Sequence, residues 1–184
     1  LEFNQSTQGK IGWDHSISAY YTGIIGKWKI DFDADYLNNR KAENQIAEDE
    51  SRQDIHSHTN SSSKLYAAKL QASVSLGKGK LSFGSEGTLT ERIATFTQSG
   101  YSADADDLIK QKSLAGFANY AISFGKWKAN AGVRYEHRET DYYDEGIRIA
   151  QQSPTYNDFI PTASLSWADN GFGLSLSYRM MKTY

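Results

Sequence analysis

The chain has no cysteine, so neither a disulfide nor a thiolate metal centre contributes to it. Proline is scarce: 2 stand against 15 glycines, the balance expected of a strand-rich chain with tight turns. No run of about 20 consecutive apolar residues occurs, which excludes a transmembrane helix. Basic charge is not in excess either. A formal net charge of -2 and a pI near 6.1 give nucleic acid no electrostatic footprint to bind. The sequence opens at Leu1 without the basic and apolar regions of a signal peptide, and it stops at Tyr184 within a strand-like pattern. Both ends predict a piece of something longer. A mean hydropathy of -0.63 does not speak against a membrane, because a membrane strand needs only every second residue apolar.

What the sequence does contain is alternation, repeated many times. Trp28, Ile30, Phe32, Ala34 and Tyr36 fall on one face, with Lys29, Asp31, Asp33 and Asp35 on the other. A helix would scatter those carboxylates around its axis, whereas a strand segregates them. Tyr66, Ala68, Leu70, Ala72, Val74 and Leu76 oppose Lys69, Gln71, Ser73 and Ser75 in the same way. So do Trp127, Ala129, Ala131, Val133 and Tyr135 against Lys128, Asn130, Arg134 and Glu136, and Phe172, Leu174, Leu176 and Tyr178 against Ser175, Ser177 and Arg179.

About eight strands are expected, starting near Lys10, Lys27, Lys64, Lys80, Lys112, Trp127, Tyr156 and Gly171. Tight turns at Gly26-Lys27, Gly77-Lys78-Gly79, Gly125-Lys126 and Asp169-Asn170-Gly171 join them as four hairpins. Between the hairpins lie longer polar stretches, expected as loops near 38–63, 98–111 and 144–155. Ile25-Gly26-Lys27-Trp28-Lys29 is echoed by Phe124-Gly125-Lys126-Trp127-Lys128, as in a periodic hairpin array. Residues 1–184 therefore predict a single all-β segment. It is an antiparallel up-and-down meander that forms part of, or closes as, an outer-membrane-type β-barrel.

Alternation alone leaves open which face is inside. A lipocalin-like barrel keeps apolar side chains within; a membrane barrel turns them outward. Aromatics near the short turns (Tyr21, Trp28, Phe124, Trp127, Trp167, Phe172) and others towards the opposite ends (Tyr36, Tyr135, Tyr142, Tyr156, Phe159) frame small aliphatics such as Ala34, Ala129, Ala131 and Ala163. Two aromatic bands around an aliphatic belt favour the membrane reading.

Chemical sites are sparse. His56 and His58 stand two apart beside Asp54, but no third ligand follows in sequence, and a solvated polar stretch is the simpler reading. Asp104, Asp106 and Asp107 lack the glycine and distal glutamate of a calcium loop. Asp31, Asp33 and Asp35 place three carboxylates along one strand face, about 7 Å apart. With Lys69, Arg134, Glu136, Arg138 and Arg179 they are expected to line a lumen. Ser16 beside His15 cannot form a nucleophile–base pair, since strand neighbours point to opposite faces. No phosphate cradle, nucleophile elbow or zinc motif appears. No catalytic, cofactor-binding or metal-binding residue is therefore assigned, and no cofactor and no enzymatic activity is expected.

Asp14-His15-Ser16-Ile17-Ser18-Ala19-Tyr20-Tyr21-Thr22-Gly23, then Gly26-Lys27-Trp28 and Asp31-Phe32-Asp33-Ala34-Asp35-Tyr36-Leu37-Asn38, resembles the outer-membrane β-barrel family common in Bacteroidetes. Leu65-Tyr66-Ala67-Ala68-Lys69-Leu70, Gly79-Lys80-Leu81-Ser82-Phe83-Gly84 and Ala131-Gly132-Val133-Arg134-Tyr135-Glu136 continue the series. Asp158-Phe159-Ile160-Pro161-Thr162-Ala163-Ser164-Leu165-Ser166-Trp167 and Leu174-Ser175-Leu176-Ser177-Tyr178-Arg179 close it. The ordered series covers most of the chain. It departs from the family after Tyr178, where Lys182-Thr183-Tyr184 replaces a segment that tends to contain Arg-Pro. Pro161, inside a strand-like run, predicts a bulge or an unpaired position.

The resemblance implies a TonB-dependent receptor of the Gram-negative outer membrane, which takes up a nutrient through a barrel. Its implied partners are outer-membrane lipid, an extracellular ligand and, through parts not present in this sequence, a plug domain and the TonB system. The alternative is a self-contained small barrel, either a soluble lipocalin-like binder or an eight-stranded outer-membrane protein. The direction of the apolar face separates the soluble binder from the membrane wall.

Overall fold

The computed structural model describes residues 4–49, 52–99 and 104–180. Eight long strands and one short one form a single antiparallel sheet. They are β1 (Asn4–Ile25), β2 (Trp28–Asp49), β3 (Arg52–Leu76), β4 (Gly79–Gln98), β5 (Ala105–Phe124), β6 (Trp127–Asp144), β7 (Ile147–Arg148), β8 (Thr155–Asp169) and β9 (Phe172–Arg179). Sequential strands pair as neighbours, with β7 a two-residue return on β6 before a single 3-10 turn at Ala150–Gln152 leads to β8. Among the described residues β1 and β9 do not pair, so the sheet is an open wall with two edges.

The four short turns are two-residue hairpin loops. Gly26, Gly77 and Gly125 take φ of 61°, 61° and 58° at the first central position, the glycine demand of a type II′ turn. Asn170 and Gly171 are both positive, at 44° and 85°, as in type I′. Gly79 and Asp169, expected within turns, are instead the first and last residues of strands.

Register fixes the shape of the wall. The closing pairs Ile25–Trp28, Leu76–Gly79, Phe124–Trp127 and Asp169–Phe172 each lie two residues further down the sheet than the one before. Two residues per hairpin is about one per strand. With a rise of about 3.4 Å per residue and about 4.8 Å between strands, the tilt is roughly 35°, the value a membrane barrel needs.

The two faces are unlike in shelter as well as chemistry. On β4 and β5 the polar face is half-buried or buried except at Lys80, Arg92 and Ser123, while Leu89, Leu114 and Gly116 on the apolar face are exposed. Ala115 and Asp158 are 2% and 7% exposed on the polar side, whereas Leu70 and Leu174 are 50% and 70% exposed on the other. Side chains crowd on the concave side of a curved sheet and splay on the convex side. The polar face is therefore concave and the apolar face convex. Val74, buried at 6% opposite Leu81, is an exception on the convex face. A lipocalin-like barrel requires the reverse arrangement and a closed sheet; the structure has neither.

Three sequence expectations change. The stretches expected as loops near 38–63 and 98–111 are mostly strand, since β2 and β3 stay paired as far as Asp49 and Arg52 and β5 begins at Ala105. Where both faces meet water the hydropathy pattern fades while backbone pairing continues. In 144–155 the short β7 is closed by a hairpin at Glu145-Gly146, with φ of 48° and 79°. Secondly, Tyr142 and Tyr156 lie on the polar face, in register with Ile109 and Arg138, and not in the aromatic band. Their odd offsets from Tyr135 and Phe159 require it. Thirdly, of the two expectations for Pro161 the bulge does not form, since Pro161 pairs with Val133, while on the β9 side it does lie outside the paired register. Its imino side faces β9 one residue beyond the last pair, Thr162–Arg179, where no ladder donor is needed.

Candidate functional site

The concave face carries the charges. One register row runs Asp33, Lys69, Glu86, Ala115, Glu136, Asp158, so five of its six side chains are ionisable. Arg134, two residues from this row on the same face, reaches across β5 to Glu86 on β4. The small Ala115 leaves room for that crossing. The same guanidinium also binds Glu136, at 3.0 Å from Nη2 and 3.1 Å from Nε. Arg138 donates to the other oxygen of Glu136 at 2.5 Å. The result is a Glu–Arg–Glu–Arg chain that ties β4 to β6.

The β2 carboxylates are each placed against a neighbour. Asp31 accepts from Lys29 Nζ at 2.7 Å and from the Thr22 hydroxyl. Asp35 accepts from Ser18 Oγ at 2.6 Å. Asp33 lies in register between Tyr20 and Lys69. Lys69 in turn sits 5.5 Å from the ring centroid of Phe117, whose Cζ reaches over Gly84. Arg179, on β9, is in register with Thr162 and lies away from the Arg134 chain. The expected lumen set is therefore on one face, but only Arg134, Glu136 and Arg138 form one connected cluster. Glu86 and Asp158 belong to the row and were not singled out from sequence; alternation against Leu81, Phe83 and Leu89 on β4 and against Phe159, Ala163 and Leu165 on β8 was the signal available.

The histidine pair is not part of this face. His56 and His58 lie on the convex side of the β2–β3 extension, beside a groove of about 500 Å³ that also touches Asn44, Thr97 and Asp104. The His58 ring meets Asn44 Oδ1 and, at 2.8 Å, Asn60 Nδ2. The side chain of Asp54 lies outside the described residues. Among the described residues no group of three or more His, Cys, Asp or Glu is placed to hold a metal ion. Of the three aspartates of the 104–107 stretch, Asp106 and Asp107 point to opposite faces. His15 and Ser16 occupy successive β1 positions opposite Asn38 and Leu37, on opposite faces.

Above the belt, Tyr142 donates its hydroxyl to Asp107. That hydrogen bond, with lesser contributions from desolvation and the nearby carboxylates, pushes the phenol up to about 12. Because the protonated phenol is the donor, the contact is present below the ordinary value near 10 and is lost as pH rises through about 12. Replacing Asp107 with asparagine returns Tyr142 towards its ordinary value. The ultraviolet phenolate titration, taken as a difference from Tyr142→Phe, reads that shift; an unchanged curve shows that the Asp107 contact does not form.

The outer face completes the picture. With strand tilt included, Trp28, Tyr120, Phe124, Trp127, Trp167 and Phe172 collect near the short turns, and Tyr36, Tyr66, Tyr135 and Phe159 near the other margin. Tyr36 and Tyr66 meet at 4.9 Å between ring centroids. Trp28 to Tyr36 is eight residue steps, roughly 27 Å along the strand and about 22 Å along the barrel axis. Just beyond Tyr36 the same face turns to Asn38, Lys64, Glu91, Lys110 and Asp141. An apolar belt of that height, with aromatic margins and a polar concave side, defines a segment of an outer-membrane β-barrel wall.

Residues 25–183 match the outer membrane protein beta-barrel family, and the chain belongs to that family. No curated protein sequence matches it. Among solved structures it is similar to the ferric citrate transporter FecA in its unliganded form, with a TM-score of 0.63 and 15% identity over 86% of this chain and 25% of that one. It is similar also to the ferric-catecholate import receptor Fiu of E. coli K12 (TM-score 0.64, 9% identity, 92% of this chain and 35% of that). The ferric yersiniabactin uptake receptor FyuA of Yersinia pestis gives 0.61 at 12% identity, over 86% and 26%. At these identities the likeness is one of fold. The chain spans about a quarter to a third of the length of the structures it matches.

Proposed function

We propose that this chain is part of the barrel wall of a TonB-dependent outer-membrane receptor that imports a nutrient, and that it has no enzymatic role. The observation that carries the reading is the pairing of a convex apolar belt with a concave charged face: the wall meets lipid outside and a polar body inside. The row of Asp33, Lys69, Glu86, Glu136 and Asp158 across the concave face supports a polar occupant there. A plug domain contacting the Arg134 row is that occupant, and TonB acts through it. The ordered motif series supports a Bacteroidetes-type member. Since the extensions of β1–β5 beyond the belt are long, they supply the outer vestibule where ligand is first met. The named activities of the similar structures favour a metal chelate as cargo.

The test is uptake of radioactive iron from ferric citrate and from a panel of ferric siderophores by cells bearing the protein. Accumulation from at least one chelate that disappears when TonB is disrupted is the expected result. Diffusion of small solutes that ignores TonB would instead establish a self-contained pore.

A further inference from the structure

We propose that the convex wall holds a seat for a phosphorylated glycolipid of the outer leaflet, one acyl chain lying over Gly87 and the phosphate at Lys112. The proposal rests on the outer-membrane reading and deepens it by naming a lipid partner and its place. Gly87 faces outward in the row Ala68–Gly87–Leu114. It forms the floor of a groove of about 480 Å³ walled by Tyr66, Ala68, Leu89 and Leu114. Its backbone does not need glycine: φ is not in the left-handed region, and an added Cβ would meet only Ser113 O at 3.7 Å and Leu114 Cδ1 at 3.8 Å. Another group can come close to such an open strand glycine, and Gly87, unlike the equally open Gly116, lines a groove.

Position along the barrel selects the occupant. Gly87 is eight residues above the turn that opens β4, and Lys112 twelve above the turn that closes β5. Those steps correspond to heights of roughly 22 and 33 Å, the top of the apolar layer and the headgroup level above it. The groove is thus continuous with the lipid-facing belt below and opens at a cation. Glu139, in register with Lys112, has its carboxylate engaged by His137 Nε2 at 3.1 Å, and His137 is held from its other nitrogen by Asn157 at 2.7 Å. One row higher Lys64 and Lys110 alternate with Glu91 and Asp141, and Asp141 is engaged by Arg148 at 2.6 Å. An anionic headgroup is matched there; a second protein surface would have to follow the groove below the aromatic margin into the hydrocarbon.

The experiment uses the protein extracted from outer membranes in mild detergent, stripped of lipid, and titrated with purified lipid A under native mass spectrometry. Saturable binding is expected, about tenfold weaker in Lys112→Ala, where one charge-assisted contact to phosphate is lost. Gly87→Leu, which fills the floor, weakens it by a similar factor, while Ala129→Leu, on the belt near the short turns, leaves it unchanged. Lipid A stripped of phosphate binds the parent and Lys112→Ala alike. Equal binding in all variants, or a dimer that Gly87→Leu abolishes, overturns the proposal. Recovery of the parent protein in the membrane fraction is read separately: its failure would defeat the membrane reading itself, whatever the lipid titration shows.

Discussion

Arginine in place of Ala72 destabilises the membrane-inserted protein by about 2–4 kcal/mol, whereas arginine in place of Gln71 leaves it within about 0.5 kcal/mol of the parent. The two positions are adjacent on β3. Ala72 is on the convex face in the row of Ile30 and Phe83, four residues from the strand end at Leu76, which places it near the middle of the apolar belt. A guanidinium there has no water, no carboxylate in its row and too far to reach to either interface. Alanine has little side chain to lose, so the cost is almost entirely that of the charge. Gln71 is concave, in register with Asp31, and a cation there meets a carboxylate. Urea unfolding in phospholipid vesicles, followed by tryptophan fluorescence, reads both variants. A harmless Ala72→Arg with a damaging Gln71→Arg would invert the faces and end the barrel-wall reading.

That prediction is built on the feature the sequence displayed best. Strand faces and the set of Asp31, Asp33, Asp35, Lys69, Arg134, Glu136, Arg138 and Arg179 are consequences of period two, and the tight turns of their glycines; neither needs tertiary knowledge. What stayed hidden follows from the same logic. Within the membrane layer one face meets hydrocarbon and the other water, so each strand alternates. From Asn39 to Asp49 and from Arg52 to Ser63 both faces meet water, the apolar signal vanishes, and a paired ladder reads as a loop. The strand is still there because its backbone groups pair with β1 and β4 whether or not its side chains alternate. Hydropathy reports solvent on each face; it does not report backbone pairing.

Register was likewise out of reach, and the candidate site depends on it. The link from Arg134 to Glu86 joins strands two apart, over Ala115, and only the pairing of β4 with β5 and β5 with β6 brings those groups into reach. Parity, by contrast, was available and would have moved Tyr142 and Tyr156 off the aromatic margin. The lesson is specific: in a wall of this kind, an aromatic residue belongs to a girdle only if it is an even number of residues from the belt residues of its own strand.

Alanine in place of Gly84 lowers stability by about 1–3 kcal/mol, although the same change at Gly116 costs nothing and gains a few tenths to about 1 kcal/mol. Neither glycine has a positive φ, so the difference is one of space alone. A Cβ at Gly84 would stand 2.3 Å from the Leu70 carbonyl oxygen, 3.0 Å from Gln71 Cα and 2.8 Å from Phe117 Cζ, whereas at Gly116 nothing lies within 4 Å. Two of the three obstacles at Gly84 are backbone of the paired strand, which cannot step aside without parting β3 from β4. The third is a ring that can. Removing it therefore discriminates: Phe117→Ala combined with Gly84→Ala does not restore the parent, because the carbonyl still blocks the methyl. Recovery in the double variant would show that the glycine serves only to seat the ring and that the close approach of the two strands is not required. Urea midpoints of the four proteins, measured in the same vesicles, decide it; Gly84→Ala as benign as Gly116→Ala would remove the crowding of the concave face on which the inside-outside assignment depends.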